Sequence, residues 1–230
     1  MQNNFKEIKK WLDEQNVKLV AISKTHPVES VTLLYKQGQR MFGENKVQEL
    51  VMKECQMGPD IEWHLVGHLQ SNKVKFIAPF VSLIHSVDSL KLLQEINKQA
   101  SKNSRIQNVL LQIFIADEET KFGLSEEECI SLLENPELKK LKNISVEGLM
   151  GMATNSDNDK KVRKEFKALK KLFDSIAKKY LSRLSRDEYK NIEMKTLSMG
   201  MSSDYKIAVE EGSNMVRLGS VIFGERKILI

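Results

Sequence analysis

The chain has 230 residues, 41 % of them apolar and 29 % charged, with a net charge of +5. That is an ordinary globular profile, long enough to bury a core, and no apolar run reaches the length a membrane-spanning helix needs. Of the 36 basic residues seven are arginine and the other 29 lysine, spread over helix faces without interleaved aromatics, which argues against a nucleic-acid binder.

The opening run, residues 4–15, reads as an amphipathic helix charged throughout, not a signal peptide, so a cytoplasmic protein is expected. A first strand follows in VKLVAISK, closed by Lys24 and stopped by Pro27, and then a helix over VESVTLLYKQG. RMFGENK precedes a helix from about Val47, IEWHLVGH precedes SNKVKFIAPF, and SLIHSVDS precedes LKLLQEINKQA. In the second half NVLLQIFI precedes SEEECISLLEN, and ISVEGLMGM precedes a lysine-rich helix from Asp159. That helix carries Val162, Phe166, Leu169, Phe173 and Ile176 at helical spacing, so its lysines form a solvated outer face. EMKTLSMG precedes SDYKIAVEEG, and MVRLGSVIFG is the last strand candidate. Cys55 and Cys129 fall in helical patterns, far apart, and read as reduced thiols.

Eight strands alternating with helices call for a parallel sheet with helical crossovers. Eight such units in this length predict an α/β fold, a (β/α)8 TIM barrel with an extra N-terminal helix, as one domain over residues 1–230. An open doubly wound sheet is the alternative, but no GxGxxG turn is present.

A barrel places its site at the C-terminal strand ends. Those ends carry Lys24; Gly43, Glu44 and Asn45; His64 with Gly67 and His68; His85 and Ser86; Asp117–Lys121; Gly148 to Met150; Ser198, Met199 and Gly200; and Arg217, Gly219 and Ser220. The turns after strands seven and eight supply glycines and hydroxyls suited to a phosphate, with Ser202 or Ser203 placed to cap the helix near Asp204. Arg217 lies inside an apolar strand and needs a partner there, either a carboxylate such as Glu147 or a ligand. An amine, a phosphate cradle and an arginine together describe pyridoxal 5'-phosphate, which needs a partner for its aldehyde, its phosphate and its ring nitrogen. An arginine at that nitrogen always donates, so it disfavours ring protonation and leaves a weaker electron sink.

Through AISKTHP, RMFGENKVQEL, EWHLVGHLQSNK, HSVDS, VEGLMGM, LSMGMSSDY and MVRLGSVIFG the chain resembles, nearly end to end, the pyridoxal phosphate homeostasis proteins, single-barrel relatives of the alanine racemase N-terminal domain. The resemblance implies the fold-type-III cofactor barrel, monomeric or loosely associated with a monomer expected, and pyridoxal 5'-phosphate held as a Schiff base on Lys24. It implies Ser198, Gly219 and Ser220 near the phosphate, Arg217 at the ring nitrogen, and Asn45 and Met150 near the ring, with His64, Ser86 and Met199 completing the expected binding set. Many members carry a second lysine where this chain has His26, and Lys121 resembles a further family lysine.

The expected role is to buffer the cofactor or supply it to apoenzymes, with no catalytic residues. The alternative is an amino-acid racemase. Racemisation needs a proton donor on each substrate face, and Tyr35, Tyr180, Tyr189 and Tyr205 all read as lying away from the mouth. A metal site at His64 and His68 is not expected, because on a strand that spacing separates the two by about 13 Å.

Overall fold

Each short β-branched run alternates its side chains between two faces, and both faces are apolar, as a sheet covered on each side requires. The computed structural model describes residues 2–116, 123–181 and 190–224. Its strands are β1 (Lys18–Ile22), β2 (Met41–Glu44), β3 (Glu62–Leu65), β4 (Leu83–Val87), β5 (Gln107–Phe114), β6 (Ile144–Met152), β7 (Ile192–Ser198) and β8 (Met215–Leu218). All neighbours pair in parallel, and β8 returns to β1, so the sheet is a closed eight-stranded barrel. Closure rules out the open doubly wound alternative.

Around the barrel lie α1 (Gln2–Glu14), α2 (Val28–Tyr35), α3 (Val47–Glu54), α4 (Val74–Ile77), α5 (Leu90–Lys102), α6 (Glu126–Glu134), α7 (Pro136–Lys139), α8 (Asp159–Leu181), α9 (Tyr205–Glu210) and α10 (Ser220–Phe223). The chain's own chemistry sets the helix starts. Ser125 accepts from the Glu128 amide while Glu128 reaches back to the Ser125 amide, a capping box in front of α6. Ser89 caps α5 through the Leu92 amide. The run VIFG does not continue β8, because the chain turns at Gly219 and Ser220–Phe223 coils into α10.

Two apolar layers follow from the alternation. Leu19, Ala21, Phe42, Trp63, Leu65, Val109, Leu111, Leu197, Val216 and Leu218 face the helices and join the main core. Val20, Ile22, Leu83, Leu110, Met150 and Met215 form a separate cluster inside the barrel. Fully burying each of these inner side chains is worth about 1.5–3 kcal/mol. Gly43 leaves the space that Ile22 fills, for a Cβ there would sit 2.5 Å from Ile22 Cδ1. Among the described residues no helix is long and apolar enough to cross a membrane.

Candidate functional site

The inner parity of β1 runs Val20, Ile22, Lys24, so the strand that contributes two core residues delivers an amine at the next layer up, two residues past the end of β1. The same step applies around the barrel. Leu110 is followed by Gln112 and Met150 by Met152, while Asn45 stands two residues past Gly43. Lys24, Asn45, Gln112, Met152 and Arg217 meet at the C-terminal mouth in a cleft of about 730 Å³. Its rim adds His26, Gly67, His68, Met201, Ser202, Ser203, Gly219 and Ser220. Among the described residues that line the cleft there is no Asp or Glu, and those residues offer donors and cations.

The floor is set by Arg217, which is 5 % exposed. Val20 on β1 lies opposite it in register, so Lys24 emerges four residues further along the neighbouring strand. Arg217 Nη1 donates to the Ser198 carbonyl at 2.9 Å and to Ser198 Oγ at 2.7 Å, and Nη2 donates to the Gly151 carbonyl at 3.0 Å. Burial pulls its pKa down to about 10, and the Asp204 carboxylate partly opposes that. Glu147, the carboxylate the sequence offered as its partner, has the outward parity of β6 and pairs with Lys195 at 2.9 Å instead.

Below the arginine a polar chain threads the barrel. Ser198 Oγ lies 3.2 Å from His85 Nδ1, and His85 Nε2 lies 3.0 Å from His64 Nδ1. Both imidazoles are buried and held neutral: burial lowers the His64 pKa to about 3, and burial, then His64 and Arg217, push His85 well down.

The serine turns converge from the other side. Gly200 has φ 97°, and a Cβ there would lie 2.6 Å from Ala208 Cβ, so the tight turn after β7 needs a glycine. Ser202 does not cap α9. Its Oγ accepts from the Gly219 amide at 3.2 Å and the Val221 amide at 3.4 Å, pinning the turn after β7 to the start of α10. Asp204 occupies the cap position without a side-chain cap bond, and its Oδ1 accepts from the Met201 amide at 2.6 Å. Among the described residues the Ser203 and Ser220 amides donate to no protein acceptor.

Of the sequence-predicted residues, Lys24, Asn45, Arg217, Gly219 and Ser220 line the cleft. Ser198 and His64 point inward but sit below Arg217, and Met150 packs in the inner core beneath Met152. Ser86 and Met199 have the other parity. Ser86 Oγ donates to the Gly67 carbonyl at 2.6 Å, and Met199 is buried in the helix-side core. Gln112 and Met152 were not expected at the site, and Ser202 was expected there only as a helix cap; extending the alternation by one step would have found the first two. His68 stands on the exposed rim while His64 faces His85, so the two do not converge on one point. Asp117–Lys121 and Tyr189 lie outside the described residues. Tyr35, Tyr180 and Tyr205 do not line the cleft, and two of them bond elsewhere: Tyr35 to Asp60, Tyr180 to the Leu133 carbonyl.

The sequence model of the alanine racemase N-terminal domain matches residues 1–227. A pyridoxal phosphate homeostasis protein of Aquifex aeolicus is 40 % identical over 215 residues, covering 93 % of this chain and 89 % of the relative. The solved structure of PipY from Synechococcus elongatus without PLP superposes with a TM-score of 0.86 at 31 % identity, covering 96 % of this chain and 99 % of PipY. PipY with PLP bound superposes with a TM-score of 0.76 at 32 % identity over 91 % and 93 % of the two chains.

Proposed function

The chain belongs to the alanine racemase N-terminal domain family, and from that premise we propose that it binds pyridoxal 5'-phosphate in the barrel-mouth cleft and serves to buffer or supply it. The observation that carries this reading is the pairing of one amine, Lys24, with a hydroxyl- and amide-lined rim in a cleft without a described carboxylate. The residues present fit the group. Among the described residues the Ser203 and Ser220 amides have no acceptor, as donors to a phosphate would. The relatives' names, and PipY solved with PLP bound, support the same ligand.

When bound, the cofactor supplies an aldehyde that condenses with an amine. Lys24 is the residue that would hold that aldehyde, and Ser203, Gly219 and Ser220 would hold the phosphate, with Ser202 bracing the turn. Arg217 would face the ring nitrogen. Because Nη1 and Nη2 are already committed to Ser198 and Gly151, its plane is fixed before any ligand arrives. Asn45, Gln112 and Met152 would flank the ring and exclude water from it.

The role proposed is that of a carrier for PLP-requiring apoenzymes, not of an enzyme, and of a monomer. Its support is that no described tyrosine lines the cleft to act as a second base opposite Lys24. The test is an absorbance titration with pyridoxal 5'-phosphate. Wild type should turn yellow and Lys24→Ala should not. Interconversion of L- and D-alanine by the loaded wild type would contradict the carrier reading.

A further inference from the structure

Lys24 occupies the second position of a four-residue turn closed by the His26 amide donating to the Ser23 carbonyl at 3.0 Å. The third residue, Thr25, has φ 66°. For a β-branched residue that left-handed conformation is strained, and it persists only where its surroundings over-determine it. Those surroundings come from α3. Lys53 is wholly buried, and its ammonium has three hydrogens and three acceptors: Glu44 Oε1 at 2.6 Å, the Ser23 carbonyl at 2.7 Å and Glu49 Oε1 at 2.8 Å. Ser23 Oγ donates to Glu44 Oε1 at 2.6 Å, and the Thr25 amide donates to Glu49 Oε1 at 2.7 Å. The residue before Lys24 is therefore tied by its side chain and carbonyl, and the residue after it by its amide.

The cluster stands behind the amine. Ser23 and Glu44 have the outward parity of β1 and β2, toward α3, whereas Lys24 has the inward one, and none of Ser23, Glu44, Glu49 or Lys53 lines the cleft. Stability alone does not explain it. Desolvating an ammonium and its carboxylates largely offsets their attraction, and apolar residues of similar volume in place of a whole buried ionic cluster are often as stable. Glu44 Oε2 is moreover buried without a partner among the described residues, and burial raises the Glu44 pKa.

We infer that the Lys53–Glu44–Glu49 cluster is a positioning device that holds the strained 23–26 turn so that the Lys24 amine faces the cleft. This rests on Lys24 as the cofactor amine, and the experiment separates the two. Thr25→Gly and Lys53→Met are prepared in the full chain, and three quantities are measured: the melting temperature, the acetic anhydride labelling of Lys24 by peptide mass, and the rate at which borohydride fixes added pyridoxal 5'-phosphate on Lys24. Thr25→Gly removes the strain and suits the turn, so its melting temperature should stay level or rise and its Lys24 should label and fix cofactor as in wild type. Lys53→Met, or Glu49→Ala where Lys53→Met does not fold, removes part of the tether, so Lys24 should label severalfold faster as the amine leaves the mouth, and fixation should slow by up to about a hundredfold, the scale at which misplacement of a reacting group is felt. Adding Thr25→Gly to either variant lets the turn form without strain and should restore both rates. Unchanged labelling and fixation in the tether variants overturn the inference, as does a slowing that Thr25→Gly does not recover. The anhydride arm reads Lys24 without cofactor. A wild type that labels but fixes no pyridoxal 5'-phosphate therefore contradicts the cofactor reading alone, and the positioning is still decided by the labelling of the tether variants.

Discussion

Arg217 Nη1 donates to Ser198 Oγ at 2.7 Å, and this one bond assigns a direction to the whole polar chain beneath the cleft. A guanidinium can only donate, so Ser198 Oγ accepts, which leaves its hydrogen for His85 Nδ1. His85 then carries its proton on Nε2 and donates to His64 Nδ1. The ordering predicts that both imidazoles are neutral Nε2–H tautomers, readable in nitrogen-15 NMR of the cofactor-free protein. Ser198→Ala should disturb the His85 ring signals and cost about 1–2 kcal/mol, the usual worth of a buried hydrogen bond whose partner is left behind. An unaltered His85 spectrum in that variant would contradict the ordering.

The same histidines set an acid limit. The His64 pKa falls to about 3 in the folded chain, chiefly by burial and secondarily by Lys18, against an ordinary value of 6.5. The unfolded chain therefore binds a proton first as pH drops below 6.5, so the folded state loses stability from there down to about pH 3 and is at full strength above 6.5. Between pH 6.5 and about pH 5 the loss should be about 2 kcal/mol for His64, with His85 acting in the same direction. Urea unfolding at a series of pH values reads this, and His64→Gln should shallow the slope by about one proton.

Ser202 gives a test of where the phosphate sits. Its Oγ accepts from the Gly219 and Val221 amides and so fixes the rim that would cradle an anion. Ser202→Ala should weaken binding of pyridoxal 5'-phosphate about tenfold, the loss of roughly one hydrogen bond's worth of order, and leave pyridoxal almost untouched. Fluorescence titration with the two ligands compares them, and equal losses for both would place the phosphate elsewhere.

Gly200 is predicted to tolerate no side chain. Gly200→Ala would force φ 97° on a residue with a Cβ and place that atom 2.6 Å from Ala208 Cβ, so about 1–3 kcal/mol of stability should be lost. A thermal melt measures it, and an unchanged midpoint would show that the turn can relax.

The barrel was legible because alternation is a property of the chain itself: eight β-branched runs separated by amphipathic ones leave few topologies. Lys24 was legible because a barrel gathers its strand ends at one mouth, and Arg217 because a charge inside an apolar strand is anomalous. Depth was not. Ser198, His64 and Met150 read as mouth residues, yet whether an inward side chain lines the cleft or the layer below depends on register between strands, and β8 pairs β1 with Val20 opposite Arg217. Ser86 and Met199 sit one residue from inward positions and so turn away from the cleft. Ser202 read as a helix cap because serine before a helix usually is one; its actual partners lie 17 and 19 residues further along the chain. Lys53 gave no signal, since a lysine on an amphipathic helix reads as solvated, and only the packing of α3 on the barrel adds the Ser23 carbonyl and Glu44 to its helix neighbour Glu49 as acceptors.

The central claim is that one amine at the end of the first strand captures the cofactor's aldehyde. Borohydride reduction of the protein with added pyridoxal 5'-phosphate, followed by digestion and peptide mass mapping, reads it directly. The added mass should fall on the peptide containing Lys24 and be lost in Lys24→Ala. Modification spread over surface lysines, or carried undiminished by Lys24→Ala, would contradict it.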